Sequence, residues 1–163
     1  MSVTLPAPTA IVLDEHPLSL LTMRVGHPKR EPCKNWFLAM EKAGHVFHVP
    51  AIADYELRRE LLRTGKEASI ARLDAFNEAV RGRYLPLTQA EIREAARLWA
   101  IARDPKNNRG GAPKEALDGD VLIAAQAKLL VPEDFFMDVV VATSNPSHLS
   151  ILVTAYQWDQ ILP

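Results

Sequence analysis

Apolar positions along the chain follow two rhythms, short unbroken runs and one-sided stripes at helical spacing, and the two alternate. Residues 9–13, Thr-Ala-Ile-Val-Leu, are a short β-branched run that ends abruptly in Asp14 and Glu15. A buried parallel strand with charge at its carboxyl end reads this way. Over 33–43, Trp36, Phe37 and Met40 share one helical face, and Gly44 supplies the left-handed stop. Residues 46–49 are the next short strand. Pro50 then opens a helix at the first-turn position it favours, and that helix runs to about residue 63 before Gly65.

Ile70, Leu73, Phe76 and Val80 mark one side of a further helix closed by Gly82, and 84–87 suit a third strand. Thr88 followed by Glu91 is a capping box, with Ile92, Ala95, Ala96, Trp99 and Ala102 at helical spacing behind it. Prolines, glycines, asparagines and basic residues crowd the segment 105–114, which predicts a mobile surface loop. A strongly apolar helix over 115–130 follows, then a β-branched strand over 138–142 and a closing strand or extended segment over 151–158. Strands alternating with helices imply parallel crossovers. The expected architecture is therefore α/β, a three-layer α/β/α sandwich around a short, mostly parallel sheet, in one domain spanning 1–163. Sheets of this kind hold ligands beyond the carboxyl ends of their strands. Asp14 and residues 143–145 stand there.

Composition narrows the setting. The chain has 163 residues, 48% apolar and 24% charged, as expected of a globular domain with room for a real core. No apolar run approaches the roughly 18 to 20 residues of a membrane span, and the start does not read as a leader peptide. The single cysteine, Cys33, excludes an intrachain disulfide and fits a reducing, cytoplasmic setting. Net charge is −1, so any grip on a polyanion must be local. Two basic clusters offer one: Arg24, Lys29, Arg30 and Lys34, and Arg103, Lys106, Arg109 and Lys114. Solvated loops explain both equally well.

Three acids look out of place. Asp120 opens the run Asp-Val-Leu-Ile-Ala-Ala, in line on a helix with Leu117 and Ala124, which should face the core. A buried carboxylate needs a cation, a donor or a metal, unless Asp120 merely serves the helix amino end. Asp14 ends a buried strand, where a turn residue would also fit. Glu56 lies among Asp54, Tyr55, Arg58, Arg59 and Glu60, which an exposed ion-paired helix face explains. Asp118 could share the site or face solvent. Carboxylates brought to one sheet edge repel unless a divalent cation compensates them. Oxygen ligands without a Cys or His cluster favour Mg²⁺ or Mn²⁺ over zinc. The sequence holds no phosphate-cradling Gly-rich loop, no Gly-x-Ser-x-Gly elbow and no Cys-x-x-Cys.

In order, these motifs resemble the PIN domain, and within it the VapC-like toxin ribonucleases. Ile11-Val12-Leu13-Asp14 looks like the first strand and first metal ligand. Val49-Pro50 leading to Tyr55-Glu56-Leu57 is similar to the helix carrying the family's glutamate. Asp120 to Ala125, with Ala127, resembles the Asp-x-x-Ile-Ala-Ala-x-Ala helix, and Val139 to Asn145 with His148-Leu149 the last strand and its Thr-x-Asn/Asp turn. The resemblance implies sheet order 3-2-1-4-5 and a metal-dependent endoribonuclease, the toxin of a type II toxin–antitoxin pair. Asp14, Glu56 and Asp120 would hold Mg²⁺ or Mn²⁺, with Asn145 and Asp118 completing the shell. RNA is the implied substrate, an antitoxin protein the implied partner, and a homodimer the implied assembly. Trp36 and Phe37 are candidates for that contact, with core packing as the alternative.

Two positions depart from the family pattern. Glu15 and His16 follow the first aspartate where a hydroxyl or small polar residue is usual, and Asn145 fills the fourth acidic position. They define the alternative reading, a non-catalytic PIN-fold interaction module with a degenerate metal site. A haloacid-dehalogenase-like phosphatase would need a second aspartate two residues after Asp14, and position 16 is His.

Overall fold

A computed structural model of the chain describes all residues except 105, 107–113 and 131–136, and for 114–116 it describes the backbone alone. The loop expected over 105–114 therefore lies outside the described residues, apart from Lys106 and the backbone of Lys114. Seven strands are present among the described residues: β1 (Val3–Thr4), β2 (Thr9–Leu13), β3 (Val46–Pro50), β4 (Tyr84–Leu85), β5 (Asp138–Thr143), β6 (Ala155–Gln157) and β7 (Ile161–Leu162). Five of them form the central sheet in the order β4-β3-β2-β5-β6, with every pairing parallel. Counted along the chain, those five strands stand in the expected order 3-2-1-4-5. The parallel pair β1-β7 is an addition the sequence did not suggest.

The helices are α1 (Glu15–Thr22), α2 (Arg30–Lys42), α3 (Ala51–Arg63), α4 (Glu67–Glu78), α5 (Gln89–Arg103), α6 (Lys114–Leu129) and the one-turn α7 (Pro146–Leu149). All five residues of β2 are buried, and successive side chains enter opposite layers. Ile11 and Leu13 join Leu18, Phe37, Met40, Leu57 and Leu73 on one side. Val12 meets Ile123, Ala127, Val141 and Leu149 on the other. The all-round apolar character of α6 has a direct cause, because it is sandwiched. Ile123 and Ala127 face the sheet, while Val121, Ala124 and Ala125 pack with Ala95 and Leu98 of α5. Gln126, fully buried on the same helix, donates to the Leu85 carbonyl at 3.0 Å and so tethers α6 to the short edge strand β4.

Several expectations change in detail. Pro50 is the last residue of β3 and the N-cap of α3, with φ −68° and ψ 144°, and not a residue of the first turn. The third strand is only Tyr84–Leu85, and the last is Ala155–Gln157. Helix α1 was not foreseen. His16 and Pro17 disguise it, yet Pro17 stands in the first turn, where backbone N–H groups have no helical partner to lose. Trp36 and Phe37 are taken up by the core: Trp36 stacks edge-on with Phe47 and Trp158, and its Nε1 donates to the Ile161 carbonyl at 3.0 Å. Phe37 is 2% exposed. No described helix is long and apolar enough to cross a membrane.

Candidate metal centre

The carboxyl ends of β2 and β5 lie side by side, with Leu13 opposite Ala142. Asp14 leaves the sheet there and caps α1, its backbone N–H still bonded to the Ala142 carbonyl at 3.0 Å. One carboxylate oxygen, Oδ1, accepts from the Glu15 backbone N–H at 2.7 Å. The other, Oδ2, accepts from the buried Thr143 hydroxyl at 2.6 Å. The first acid is thus held between a helix amino end and the last residue of the neighbouring strand, both of which suit a negative charge.

Helix α3 carries Glu56 to the same place. Its carboxylate lies against the backbone of α6 at Gly119, the residue just before Asp120. The three acids feel one another. Burial raises the Glu56 pKa, and Asp14, Glu15 and Asp120 push the same way while Arg59 opposes them. Burial and then Asp14 push Asp120 up to about 6, against the pull of His148. The His148 Nδ1 stands 3.7 Å from Asp120 Oδ2, too far for a good hydrogen bond. That buried Oδ2 has no hydrogen-bond partner.

Burial is the first cause of these shifts and the neighbouring carboxylates the second, so the fold holds these acids where ionisation is disfavoured. An orphaned carboxylate oxygen and carboxylates held above their ordinary range fit the donor set of a hard divalent cation, which would reverse both. Among the described residues, no three His, Cys, Asp or Glu side chains form a closed set of metal ligands. What joins the acids is a shared field, with Glu56 and Asp120 on neighbouring helix surfaces.

The remaining predicted residues stand differently. Asn145 is exposed; its Oδ1 accepts from Ser147 Oγ at 2.6 Å, and its backbone N–H donates to Thr143 Oγ1 at 3.1 Å. It therefore reaches Asp14 through Thr143. Asp118 is exposed on α6, and no described hydrogen bond or ion pair ties it to the acids. Two residues emerge that the sequence reading had not placed in the site, Glu15 and Arg59, and Thr143, which it had placed at the strand ends, gains a definite role. Thr143 grips Asp14, and its position in the Thr-x-Asn turn was the available signal. Glu15 joins the cluster, its pKa raised by burial and by Asp14. Arg59 counters the charge on both Glu15 and Glu56, and its guanidinium lies 5.4 Å from the Tyr55 ring centre. The basic clusters divide: Arg30 pairs with Glu31 at 3.1 Å and Lys34 lies over the Phe37 ring, whereas Arg109 is outside the described residues.

Comparison with known proteins bears on the fold and the family. The chain is similar to FitAcB from Neisseria gonorrhoeae in its crystal structure, at 21% identity and a TM-score of 0.62, over 91% of this chain and 97% of that one. It is similar at 13% identity and a TM-score of 0.65 to VapBC2 from Rickettsia felis, solved bound to a DNA fragment from their promoter, over 92% of this chain and 99% of that one. A structure of FitAB bound to an IR36 DNA fragment matches at 18% identity and a TM-score of 0.63, over 91% and 95%. No curated protein matches the sequence. At these identities the solved structures speak for the fold. The family model described as PIN domain matches residues 11–130, from the strand that delivers Asp14 through the helix that carries Asp120, so the chain belongs to the PIN domain family.

Proposed function

We propose that the protein is a metal-dependent endoribonuclease, hydrolysing RNA phosphodiester bonds as the toxin of a type II toxin–antitoxin pair. The observation that carries this reading is the buried Asp120 Oδ2 left without a partner, next to the Gly119 surface on which the Glu56 carboxylate rests. A stable fold has no use for that arrangement on its own. The likeness to FitAcB and VapBC2 supports the pairing with an antitoxin, and the homodimer rests on the family resemblance alone.

Asp14, Glu56 and Asp120 would hold Mg²⁺ or Mn²⁺, with Asn145 and Asp118 completing the shell. The bound cation would supply Lewis acidity to the phosphate and acidify a water for in-line attack. The chain's own residues set the stage. Thr143 and the Glu15 N–H each hold one oxygen of the Asp14 carboxylate and so fix its orientation. Glu15 borders the same acids, its pKa raised first by burial and then by Asp14. Arg59 borders the acids and offers a phosphate a positive neighbour.

The test is cleavage of an RNA oligonucleotide pool by the purified protein with Mg²⁺ or Mn²⁺ and with excess EDTA. Activity should need the metal and vanish in Asp14→Asn, whose circular dichroism should match the wild type. Cleavage that survives EDTA, or that Asp14→Asn leaves intact, removes the assignment. A protein that neither cleaves RNA nor gains thermal stability from Mn²⁺ is the non-catalytic PIN-fold module instead.

A further inference from the structure

Helix α6 contains a glycine where helices disfavour one. Gly119 is the sixth residue of a sixteen-residue helix, has no positive φ, and is buried. Neither a cap nor a turn explains it, and alanine at an interior position would favour the helix. A Cβ placed on Gly119 would stand 2.6 Å from Glu56 Oε1, 3.4 Å from Glu56 Cδ and 3.7 Å from Glu56 Oε2. Apart from the adjacent residues and the helix's own backbone, these are the three nearest heavy atoms among the described residues. The missing side chain is filled by one carboxylate.

We infer that Gly119 is a positioning residue: it leaves open the space in which the Glu56 carboxylate rests beside Asp120. The inference rests on the reading of Glu56 as a metal ligand, but its structural half stands apart from that reading. Glu56 comes from α3 and Asp120 from α6, so the distance between these two acids depends on how closely the helices approach at this point. A methyl group at 119 would not need to push backbone. It would push the far end of a flexible side chain, which can swing away at little cost to the fold. The predicted signature of Gly119→Ala is therefore unusual. The helix gains, the fold holds, and the carboxylate is displaced by an ångström or so. Displacements of that size cost roughly 100-fold where a reacting geometry is held.

The experiment uses the full chain and four forms: wild type, Gly119→Ala, Glu56→Ala and the double variant. In EDTA, Gly119→Ala should melt no lower than wild type. The same substitution should raise the melting temperature further in the Glu56→Ala background, by about 2–4 °C, because the clash partner is gone. With Mn²⁺ as the probe, calorimetric affinity in Gly119→Ala should fall roughly 10–100-fold. Adding Glu56→Asp to Gly119→Ala should recover part of that loss, since the shorter side chain clears the methyl group, although Glu56→Asp alone weakens binding. A Gly119→Ala protein that binds Mn²⁺ like wild type overturns the inference. So does a melting shift that is the same with and without Glu56, which would make Gly119 a simple packing residue. Should the wild type bind no Mn²⁺ at all, the nuclease reading fails, while the EDTA melts still decide whether Gly119 makes room for Glu56.

Discussion

Replacing Asp120 by asparagine should make the metal-free protein more stable. The wild-type carboxyl has its pKa raised from 3.8 to about 6, first by burial and second by Asp14. A raised acid pKa means that the folded state prefers the proton. The cost of ionising the group is absent below the unfolded value, grows as pH rises, and is complete above about pH 6. The difference is about 2 pH units, or about 3 kcal/mol at roughly 1.4 kcal/mol per unit. Asp120 is 20% exposed at its side chain, so solvent screens little of this. Asparagine keeps the shape and removes the charge. For a chain of this length, about 3 kcal/mol corresponds to a gain of about 5–10 °C in melting temperature at pH 7.5 in EDTA. The gain should shrink to about 1 kcal/mol at pH 4.5, where the wild-type carboxyl is protonated in the fold but still largely ionised in the unfolded chain, and should vanish below about pH 3.8. Mn²⁺ at about 1,000 times its Kd should reverse the ranking, because only the wild type has a full charge to offer and the bound ion then adds about 4.1 kcal/mol, more than the ionisation cost of about 3 kcal/mol. Differential scanning calorimetry of both proteins at the two pH values, with EDTA and with Mn²⁺, reads all of this. An Asp120→Asn protein that melts below wild type in EDTA at pH 7.5 would show that the carboxylate is a structural acceptor, and the reasoning would fail.

Other consequences follow from the same geometry. Thr143→Val removes the hydroxyl that donates to Asp14 Oδ2 and should weaken Mn²⁺ binding roughly tenfold, measured by calorimetry; an unchanged Kd would show that Asp14 needs no such support. Asp54, 6% exposed, receives Arg58 Nε at 2.7 Å and Asn77 Nδ2 at 2.7 Å, so Arg58→Met strands a buried charge and should cost about 3 kcal/mol in urea unfolding, with a loss under about 1 kcal/mol counting against it. The buried His45 accepts the Thr9 N–H on Nδ1 at 3.2 Å, and burial lowers its pKa below 6.5. Its neutral form is the folded one, so its contribution is full above pH 6.5 and is lost as pH falls below it. The stability gap between wild type and His45→Ala should narrow from pH 8 to pH 5, and a gap constant with pH would refute the assignment.

Much of this architecture was legible because periodicity reports burial. The run from Thr9 to Leu13 and the stripe on α6 declared which faces must be covered, and alternation then fixed parallel crossovers. The sequence misled where local chemistry carried two meanings. Pro50 suits a first helical turn and equally the residue before it. Glu15-His16-Pro17 reads as a break, yet Asp14 caps a helix through it. Trp36 and Phe37 shared a face that could have met a second copy, and instead meet Phe47 and Trp158.

The acids show where a single sequence stops being informative. Asp120 was conspicuous because an aspartate among Val, Leu and Ile violates the rule that buried charge has a partner, and the violation survives in the fold as an unpaired Oδ2. Glu56 was not conspicuous, since its neighbours on α3 supply an ordinary charged surface. Its place in the cluster depends on a helix 58 or more residues further along approaching closely enough for a carboxylate to rest on Gly119. The hydroxyl that steadies Asp14 lies 129 residues from it. Such contacts follow from sheet register and helix approach, which no local pattern encodes. The consequence is an asymmetry: ligands that break a local rule can be found by reading, while the residues that aim them, such as Thr143 and Gly119, obey every local rule or break one for no visible reason. Variants at those aiming positions are therefore the sharper test. They leave every proposed ligand in place and ask only whether its geometry matters.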